Sequence, residues 1–136
     1  MDKINELLKI IAEKNPFKFL EDLHNQNSGK LFILKYLYDN KKDAKAGELA
    51  KELKVSTARV AMLLKKLESS KYIKRYNDPK DARITMVSLT KEGEKYIVKK
   101  METLTDKLKK VVKAMGITKV EDFVKVALTI SVILMN

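Results

Sequence analysis

The segment that most constrains the fold of this chain is Ala46–Ser70, in which two short helical patterns follow each other almost without a linker. The first pattern covers Ala46–Leu53, and Lys54-Val55 forms a tight connection. Ser56 is a good N-cap for the second helix, which we expect to run to about Ser69. Four apolar residues form a single stripe along that second helix: Val60, Leu63, Leu64 and Leu67. This pattern predicts a helix-turn-helix-like unit.

Two strand-like runs follow this unit, Tyr72–Tyr76 and Ile84–Leu89, and they flank the charged loop Asn77–Arg83. Pro79 has a fixed φ and holds the preceding Asp78 in an extended conformation, so the hairpin should be a stiff projection. A helix-turn-helix with a projecting charged hairpin predicts a mainly α winged helix with a small β-hairpin wing. That shape presents a helix and a loop to DNA together.

The distribution of charge favours a polyanionic partner. Residues 41–100 carry 17 Lys or Arg and 8 Asp or Glu, whereas the other 76 residues carry 12 and 10. All three arginines, Arg59, Arg75 and Arg83, lie in this basic region. A basic excess confined to one segment is typical of a nucleic-acid-binding face. The alternative is that lysine merely fills the surface, which is our interpretation of Lys107–Lys113.

Composition excludes several kinds of site. The chain has no cysteine, which removes disulfides, zinc fingers and thiol chemistry, and its one histidine is His24. We interpret His24 as an ordinary, partly buried residue. The sequence has no phosphate loop, nucleophile–histidine pair or metal-ligand cluster, so we expect neither an enzyme nor a bound metal or cofactor. Met1–Glu6 lacks a signal-peptide pattern, and Val126–Met135 is too short to span a membrane. We therefore expect a soluble cytoplasmic protein.

Helical patterns also precede the basic region. Asp2–Lys14 has apolar residues at helical spacing, and Asn15-Pro16 interrupts that pattern. Asn15 is expected to act as N-cap of a following segment, with Pro16 at its first helical position. Ser28 is expected to cap a further apolar helix, Lys30–Tyr38.

The C-terminal region predicts two long helices. Thr90 should open the first, which continues to about Met115, and Gly116 can terminate it. Thr118-Lys119-Val120-Glu121 has the pattern of a capping box for the last helix. That helix is apolar nearly all round, so it should be buried on most sides. For a terminal helix in so small a chain, burial against a second subunit is the simpler interpretation.

Together these features resemble the MarR (multiple antibiotic resistance regulator) family of winged-helix regulators. The resemblance is strongest over residues 46–93. Asp81 and Arg83 form an Asp-x-Arg motif, and Val87, Leu89, Thr90 and Gly93 follow as Val-x-Leu-Thr-x-x-Gly. Further matching residues are Leu49, Ala50, Leu53, Val55, Ser56, Val60, Leu67, Glu68, Tyr72, Ile73, Arg75, Asp78, Pro79, Lys80 and Ala82.

The resemblance implies a homodimer that binds a pseudo-palindromic operator in double-stranded DNA. Residues 29–93 would form the DNA-binding lobe, and residues 1–28 and 94–136 would supply dimerisation helices. The recognition helix, Ser56–Ser69, would enter a major groove. The side chains expected at base edges or adjacent phosphates are Ser56, Thr57, Ala58, Arg59 and Met62. The residues expected at the dimer interface are Ile4, Leu7, Leu8, Ile11, Phe123, Val126, Ala127, Ile130, Ile133 and Leu134.

At the wing tip, the resemblance implies that Arg83 inserts into the minor groove while Asp81 accepts a hydrogen bond that orients the guanidinium group. A narrow A·T-rich groove favours such an arginine. Other cations would mostly contact phosphates: Lys65, Lys66, Lys74, Arg75 and Lys80. The alternatives are a plain surface salt bridge for Arg83, a solvated surface role for Arg59, and a structural ion pair for Arg75.

The chain departs from the family pattern at three positions. Lys71 stands where members usually have glycine, so lysine must tolerate that backbone or the turn must differ. Ala58 and Met62 stand where many members carry polar or basic residues. Base reading by hydrogen bonds would then depend chiefly on Thr57 and Arg59, with Met62 contacting thymine methyl groups.

Family members often bind small aromatic or anionic effectors, for which Phe19, Tyr36 and Met101 are candidate contacts. The sequence thus predicts a DNA-binding transcriptional regulator, a repressor released by a small molecule. The alternative is a winged-helix module that binds proteins and not DNA.

Overall fold

The computed structural model describes residues 2–16, 18 and 28–135. Within them lie six helices and three short strands. In chain order these are α1 Asp2–Lys14, α2 Ser28–Asn40, β1 Ala44–Lys45, α3 Ala46–Leu53, α4 Thr57–Ser69, β2 Ile73–Asn77, β3 Thr85–Leu89, α5 Lys91–Met115 and α6 Ile117–Met135. The chain divides into two compact units, residues 1–94 and 95–136.

The predicted winged helix is confirmed. The helix-turn-helix consists of α3 and α4, and the wing is the antiparallel hairpin of β2 and β3. Ser56 immediately precedes α4 in an extended conformation, as expected of an N-cap. The strands begin one residue later than the sequence indicated, and β2 also ends one residue later. Strand β1 was not predicted, because its two residues are too few to show the alternation of apolar and polar side chains that indicates a strand.

The core of the first unit lies where α2, α3, α4 and the sheet meet. Helix α2 contributes Ile33, Leu34 and Leu37, each at most 2 % exposed. The other buried apolar residues of this unit are Ala44, Leu49, Ala50, Val60, Leu63, Leu64, Leu67, Ile73 and Val87. The whole predicted stripe of α4 is therefore buried, which turns the opposite side of that helix to solvent.

The sheet is antiparallel, with the strand order β1-β3-β2. Val87 in the central strand is opposite Ala44 on one side and Arg75 on the other. Because successive strand residues point to opposite faces, Ala44 and Val87 share the core face. Lys45 and Tyr76, which are both opposite Met86, lie on the outer face.

Three lysines adopt the left-handed conformation that favours glycine, and one of them is Lys41 with φ 53°. Lys54 follows α3 with φ 58°, and Lys71 lies between α4 and β2 with φ 65°. Lys71 therefore tolerates the backbone for which glycine was expected. A residue with a Cβ costs roughly 1–2 kcal/mol in this conformation.

Thr90 and Gly93 join the start of α5 to the turn that follows α4. The Thr90 hydroxyl donates to the Lys71 carbonyl oxygen (2.7 Å) and accepts from the Gly93 N–H (3.0 Å). The Thr90 N–H donates to the Tyr72 carbonyl oxygen at 3.1 Å. A Cβ on Gly93 would overlap that same carbonyl oxygen. The Leu-Thr-x-x-Gly part of the motif therefore has a structural role.

Helix α1 ends at Lys14, and the N–H of the following Asn15 donates to the Ile11 carbonyl oxygen at 3.0 Å. The φ of Asn15 is 37°, whereas an N-cap is normally extended. Asn15 thus terminates α1 in a left-handed conformation. Its carbonyl oxygen also accepts a hydrogen bond from the Lys18 N–H at 3.1 Å, as an N-cap carbonyl would, and its N-cap role stays a prediction. The segment that Pro16 was expected to open, and the side chains of His24 and Ser28, lie outside the described residues.

Residues 95–136 comprise most of α5 and all of α6. Gly116 ends α5 as predicted, with φ 87° and its N–H donating to the Val112 carbonyl oxygen at 2.7 Å. Helix α6 begins at once with Ile117, so Thr118 lies inside it and the predicted capping box is wrong. The left-handed glycine permits this immediate restart, leaving no extended residue to act as cap. No described helix is long and apolar enough to cross a membrane.

Candidate nucleic-acid interface

The exposed side of α4 begins at its N-cap. The Ser56 hydroxyl accepts a hydrogen bond from the Arg59 N–H at 3.1 Å, which satisfies one of the free amides of the first turn. This bond holds the entry of the helix and uses the Ser56 side chain. Ser56 is therefore a capping residue first, and its predicted DNA contact stays a prediction.

The remaining residues predicted on α4 all lie at the surface. Met62 is 53 % exposed, although a methionine side chain is usually buried. The other exposed members of the set are Thr57, Ala58, Arg59, Lys65 and Lys66. The burial of the opposite stripe brings them to one side of the helix. We call this side of α4 the recognition face, and it consists of Thr57, Ala58, Arg59, Met62, Lys65 and Lys66.

The wing loop is held by hydrogen bonds from its own aspartates. Asp78 accepts from the Lys80 N–H at 2.8 Å, across the proline that separates them. The Asp78 N–H donates to the Ile84 carbonyl oxygen at 2.9 Å, closing the loop at its base. An aspartate that bonds the backbone two residues on forms an Asx turn. The stiffness expected from Pro79 thus has a second source in Asp78.

Asp81 aligns Arg83 at the tip of the wing. Its Oδ1 accepts from the Arg83 backbone N–H at 3.1 Å and from Nε at 3.0 Å, and its Oδ2 accepts from Nη2 at 3.1 Å. The Arg83 side chain is nevertheless 90 % exposed. Arg83 therefore forms the surface salt bridge that was one interpretation of it. The same salt bridge orients an exposed guanidinium group, which is also compatible with the predicted DNA contact.

The pKa values of this pair follow from the same contacts. Side-chain and then backbone hydrogen bonds from Arg83 lower the pKa of Asp81, and the charge of Lys45 lowers it slightly further. The hydrogen bond to Asp81 raises the pKa of Arg83. The pair therefore stays ionised throughout the neutral range, and a DNA phosphate would meet a charged arginine.

Arg75 forms the structural ion pair that was the alternative to a DNA contact. Its Nη2 donates to Glu68 Oε1 at 2.8 Å, and its backbone N–H donates to Glu68 Oε2 at 3.3 Å. The pairing lowers the pKa of Glu68 and raises that of Arg75. Glu68 thereby links α4 to the free edge of β2. A phosphate contact by Arg75 would have to share its guanidinium group with Glu68.

The outer face of the sheet adds a contact that sequence reasoning missed. The Tyr76 hydroxyl donates to Asp43 Oδ2, which ties β2 to the residue before β1. This bond raises the pKa of Tyr76. The predicted phosphate-binding residues Lys74 and Lys80 are both exposed. Tyr76 and Asp43 are 33 positions apart in the sequence, and only the register of β1 on β3 brings them together. No local sequence pattern could therefore predict their hydrogen bond.

The candidate effector contacts, Phe19, Tyr36 and Met101, stay a prediction. Phe19 lies outside the described residues, and Met101 belongs to the second compact unit. The Tyr36 hydroxyl donates to Glu48 Oε2 at 2.5 Å, and this bond raises the pKa of Tyr36 to about 12.

A depression of about 390 Å³ lies nearby, lined by Leu37, Tyr38, Lys41, Lys42, Asp43, Leu89 and Glu94. Among the described side chains, no group of three or more acidic, His or Cys residues could hold a metal ion.

A three-helix lobe with a small sheet, a cationic recognition face and a projecting arginine-tipped wing defines the winged-helix class of DNA-binding proteins. The sequence agrees, because residues 30–108 match the winged helix DNA-binding domain family. The chain belongs to this family. The resemblance noted in the sequence is therefore confirmed. Among curated proteins, no sequence matches the chain.

Solved structures of other proteins share the fold over nearly the whole chain. FabT of Streptococcus pneumoniae, solved in complex with DNA, is 20% identical with a TM-score of 0.64, covering 98% of this chain and 96% of FabT. The heme sensor protein PefR of Streptococcus agalactiae, solved with heme, is 17% identical with a TM-score of 0.69, covering 95% and 90%. The transcriptional regulator BldR of Sulfolobus solfataricus is 20% identical with a TM-score of 0.60, covering 94% and 93%.

Proposed function

We propose that this protein is a homodimeric, sequence-specific DNA-binding transcriptional regulator, a repressor that a small-molecule effector releases from its operator. The observation that carries the proposal is the orientation of Arg83. Asp81 holds its guanidinium group and backbone through three hydrogen bonds while the side chain remains 90 % exposed. An ordered, exposed arginine on a projecting loop suits insertion into a narrow minor groove.

The recognition face supports the same function by its charge. Residues 54–76 carry seven cations and one anion, and that anion, Glu68, is already paired with Arg75. Phosphate contacts by Lys65, Lys66, Lys74 and Lys80 would set affinity, whereas Thr57, Arg59 and Met62 would read bases. Because the side chains of Ala58 and Met62 offer no good hydrogen-bonding groups, the wing would contribute a large share of the free energy of DNA binding.

A homodimer would place two lobes on a pseudo-palindromic operator. We assign residues 29–93 to the DNA-binding lobe, and residues 1–28 and 94–136 to dimerisation. The support is the exposure of apolar side chains at both ends of the chain, with Leu8 58% exposed and Ile133 65%. Such faces are covered by a partner in stable proteins. Half-sites would lie roughly one helical turn apart.

Release by an effector rests on likeness to other proteins. PefR was solved with heme, and a MepR-like protein of the same fold, 24% identical, was solved with pseudoligands. An effector acts by favouring a lobe spacing that no longer matches the half-sites. We place this regulator in the cytoplasm, together with the DNA that it binds.

DNA selected from a random pool tests the proposal. The wild-type protein should enrich a two-fold symmetric sequence and bind it saturably, with affinity falling steeply as salt is added. Arg83→Ala should weaken binding by roughly 10- to 100-fold. Lys119→Ala, which removes a cation from exposed α6, is the control and should bind like the wild type.

A protein-binding module is the competing function, and the exposed apolar faces of α1 and α6 favour it. It would predict a stoichiometric protein partner that DNA does not displace. Failure to enrich any sequence at low salt, or binding unaffected by Arg83→Ala, would support this function and reject the proposal.

A further inference from the structure

Lys45 lies beside the wing on an element to which no DNA contact has been assigned. It is opposite Met86 of β3, and Met86 is opposite Tyr76 of β2, so the three form one row across the outer face of the sheet. Its side chain is exposed, whereas the neighbouring Ala44 is 2 % exposed on the core face. The short strand β1 therefore presents a lysine to solvent next to the hairpin.

Lys45 and the recognition helix lie on opposite sides of the wing. Strand β2 borders α4 through the Arg75–Glu68 pair, and β1 is on the far side of β3. The charge of Lys45 also acts on Asp81 and lowers the pKa of that carboxyl group, which agrees with a position near the Asp81–Arg83 pair. A phosphate beyond the groove that Arg83 enters would lie on this side.

Lysine is a poor residue for the structural position that it occupies. Lys45 is the N-cap of α3, with φ −76° and ψ 142°, and its side chain makes no capping bond. N-caps favour Ser, Thr, Asp and Asn, which accept bonds from the free amides of the first turn. A cation at the positive end of the helix dipole is also unfavourable. The fold alone would be more stable with a small polar residue here.

We propose that Lys45 is a further DNA-binding residue, which contacts a backbone phosphate on the side of the wing away from the recognition helix. The inference rests on the proposed function, because it assumes that Arg83 enters the minor groove. It extends the interface from α4 and the wing to a third element, β1. It also explains an unfavourable N-cap as a case in which function opposes stability.

Two variants of one residue test this inference. Lys45→Gln removes the charge, and Lys45→Ser removes the charge and supplies a capping hydroxyl. Both should bind the selected duplex more weakly, and the slope of log K against log salt should fall by about 0.9 for each phosphate that the variant no longer neutralises. Lys45→Ser should at the same time raise Tm by about 2–4 °C. Lys119→Gln is the charge-matched control and should change neither slope nor Tm.

The outcomes separate this inference from the proposed function. If the wild type selects no DNA, the proposed function fails and this inference fails with it. If the wild type binds and Lys45→Gln has the wild-type salt slope, only the role of Lys45 is rejected. If Lys45→Ser lowered both Tm and the affinity for the duplex, the role of Lys45 in DNA binding would likewise be rejected. Lys45 would then affect DNA binding by stabilising the fold.

Discussion

At the scale of single residues, the three arginines have three different surroundings. The backbone N–H of Arg59 donates to the Ser56 cap, Arg75 is paired with Glu68 where α4 meets β2, and Arg83 is aligned by Asp81 at an exposed tip. The three side chains are chemically identical, so the sequence analysis predicted a DNA contact for each of them. Their acidic partners distinguish an arginine that holds the fold from one that is displayed.

The alignment of Arg83 leads to a prediction with an unusual sign. Asp81→Ala removes a negative charge next to DNA, which by Coulomb's law alone should strengthen binding. We expect binding several-fold weaker instead, because Arg83 loses the three hydrogen bonds that orient it. Fluorescence titration of the selected duplex measures the change. Asp106→Ala, which removes an exposed acid of α5, controls for charge, and tighter binding by Asp81→Ala would contradict the aligning role.

The bond between Tyr36 and Glu48 predicts an alkaline titration. The pKa of Tyr36 is raised from the ordinary tyrosine value of 10.0 to about 12, and the largest cause is the hydrogen bond to Glu48. Because the folded-state pKa is raised, the stabilisation is complete below pH 10 and is lost as pH rises towards 12. Ultraviolet difference titration against Tyr36→Phe isolates this group among the five tyrosines. In Glu48→Gln the pKa should return towards 10, and an unchanged midpoint there would exclude Glu48 as the cause.

At the scale of elements, short contacts between neighbours position the recognition helix and the wing. Glu68 joins α4 to the edge of β2, and Thr90 joins α5 to the turn after α4. Tyr76 and Asp43 add a link across the sheet. The angle between the recognition face and Arg83 is therefore set by the lobe and not by flexible loops.

Two glycines test how tightly these elements are joined. Gly93→Ala should destabilise the fold by roughly 2–3 kcal/mol, because the added Cβ overlaps the Tyr72 carbonyl oxygen and moves α5 from the turn. Gly47→Ala, in α3, is the matched control, since nothing lies within 4 Å of its added Cβ. It should stabilise the protein by about 0.5–1 kcal/mol. Urea unfolding of both variants measures the difference, and equal effects would refute the close packing at Gly93.

At the scale of the whole molecule, apolar surface at both ends of the chain predicts self-association. Ile130 is 47 % exposed and Leu134 79 %, and no described residue of α1 or α6 is buried. A protein with this much apolar surface exposed to water would aggregate unless a partner covered it. The two-fold symmetric operator that we propose would require a second copy as this partner.

Sedimentation of a charged variant tests the dimer. Ile130→Glu should raise the dimer dissociation constant by at least about tenfold, since the interface would then bury an unpaired carboxylate. Thr129→Glu places the same charge on the adjacent residue of the same helix and should have a smaller effect. A wild-type protein that sediments as a monomer at micromolar concentration would refute the dimer and require a different partner.

The winged helix and its exposed basic side could be predicted from the sequence because the signals for them are local. The stripe of α4, the Ser56 cap, the Pro79 turn and the Thr90–Gly93 motif depend on neighbours along the chain, and spacing reveals such neighbours. Where local signals compete, the sequence was less reliable. Thr118 has cap-like surroundings, yet the left-handed Gly116 ends the preceding helix and α6 begins at Ile117.

Which charged side chains are paired and which are displayed depends instead on tertiary packing. The pairs Glu68–Arg75 and Asp43–Tyr76 depend on how α4, β1 and the wing pack together. Partners so distant along the chain meet only after the core has set strand order and register. Surface ion pairs contribute too little to direct that packing, so the pattern of a single sequence does not record them.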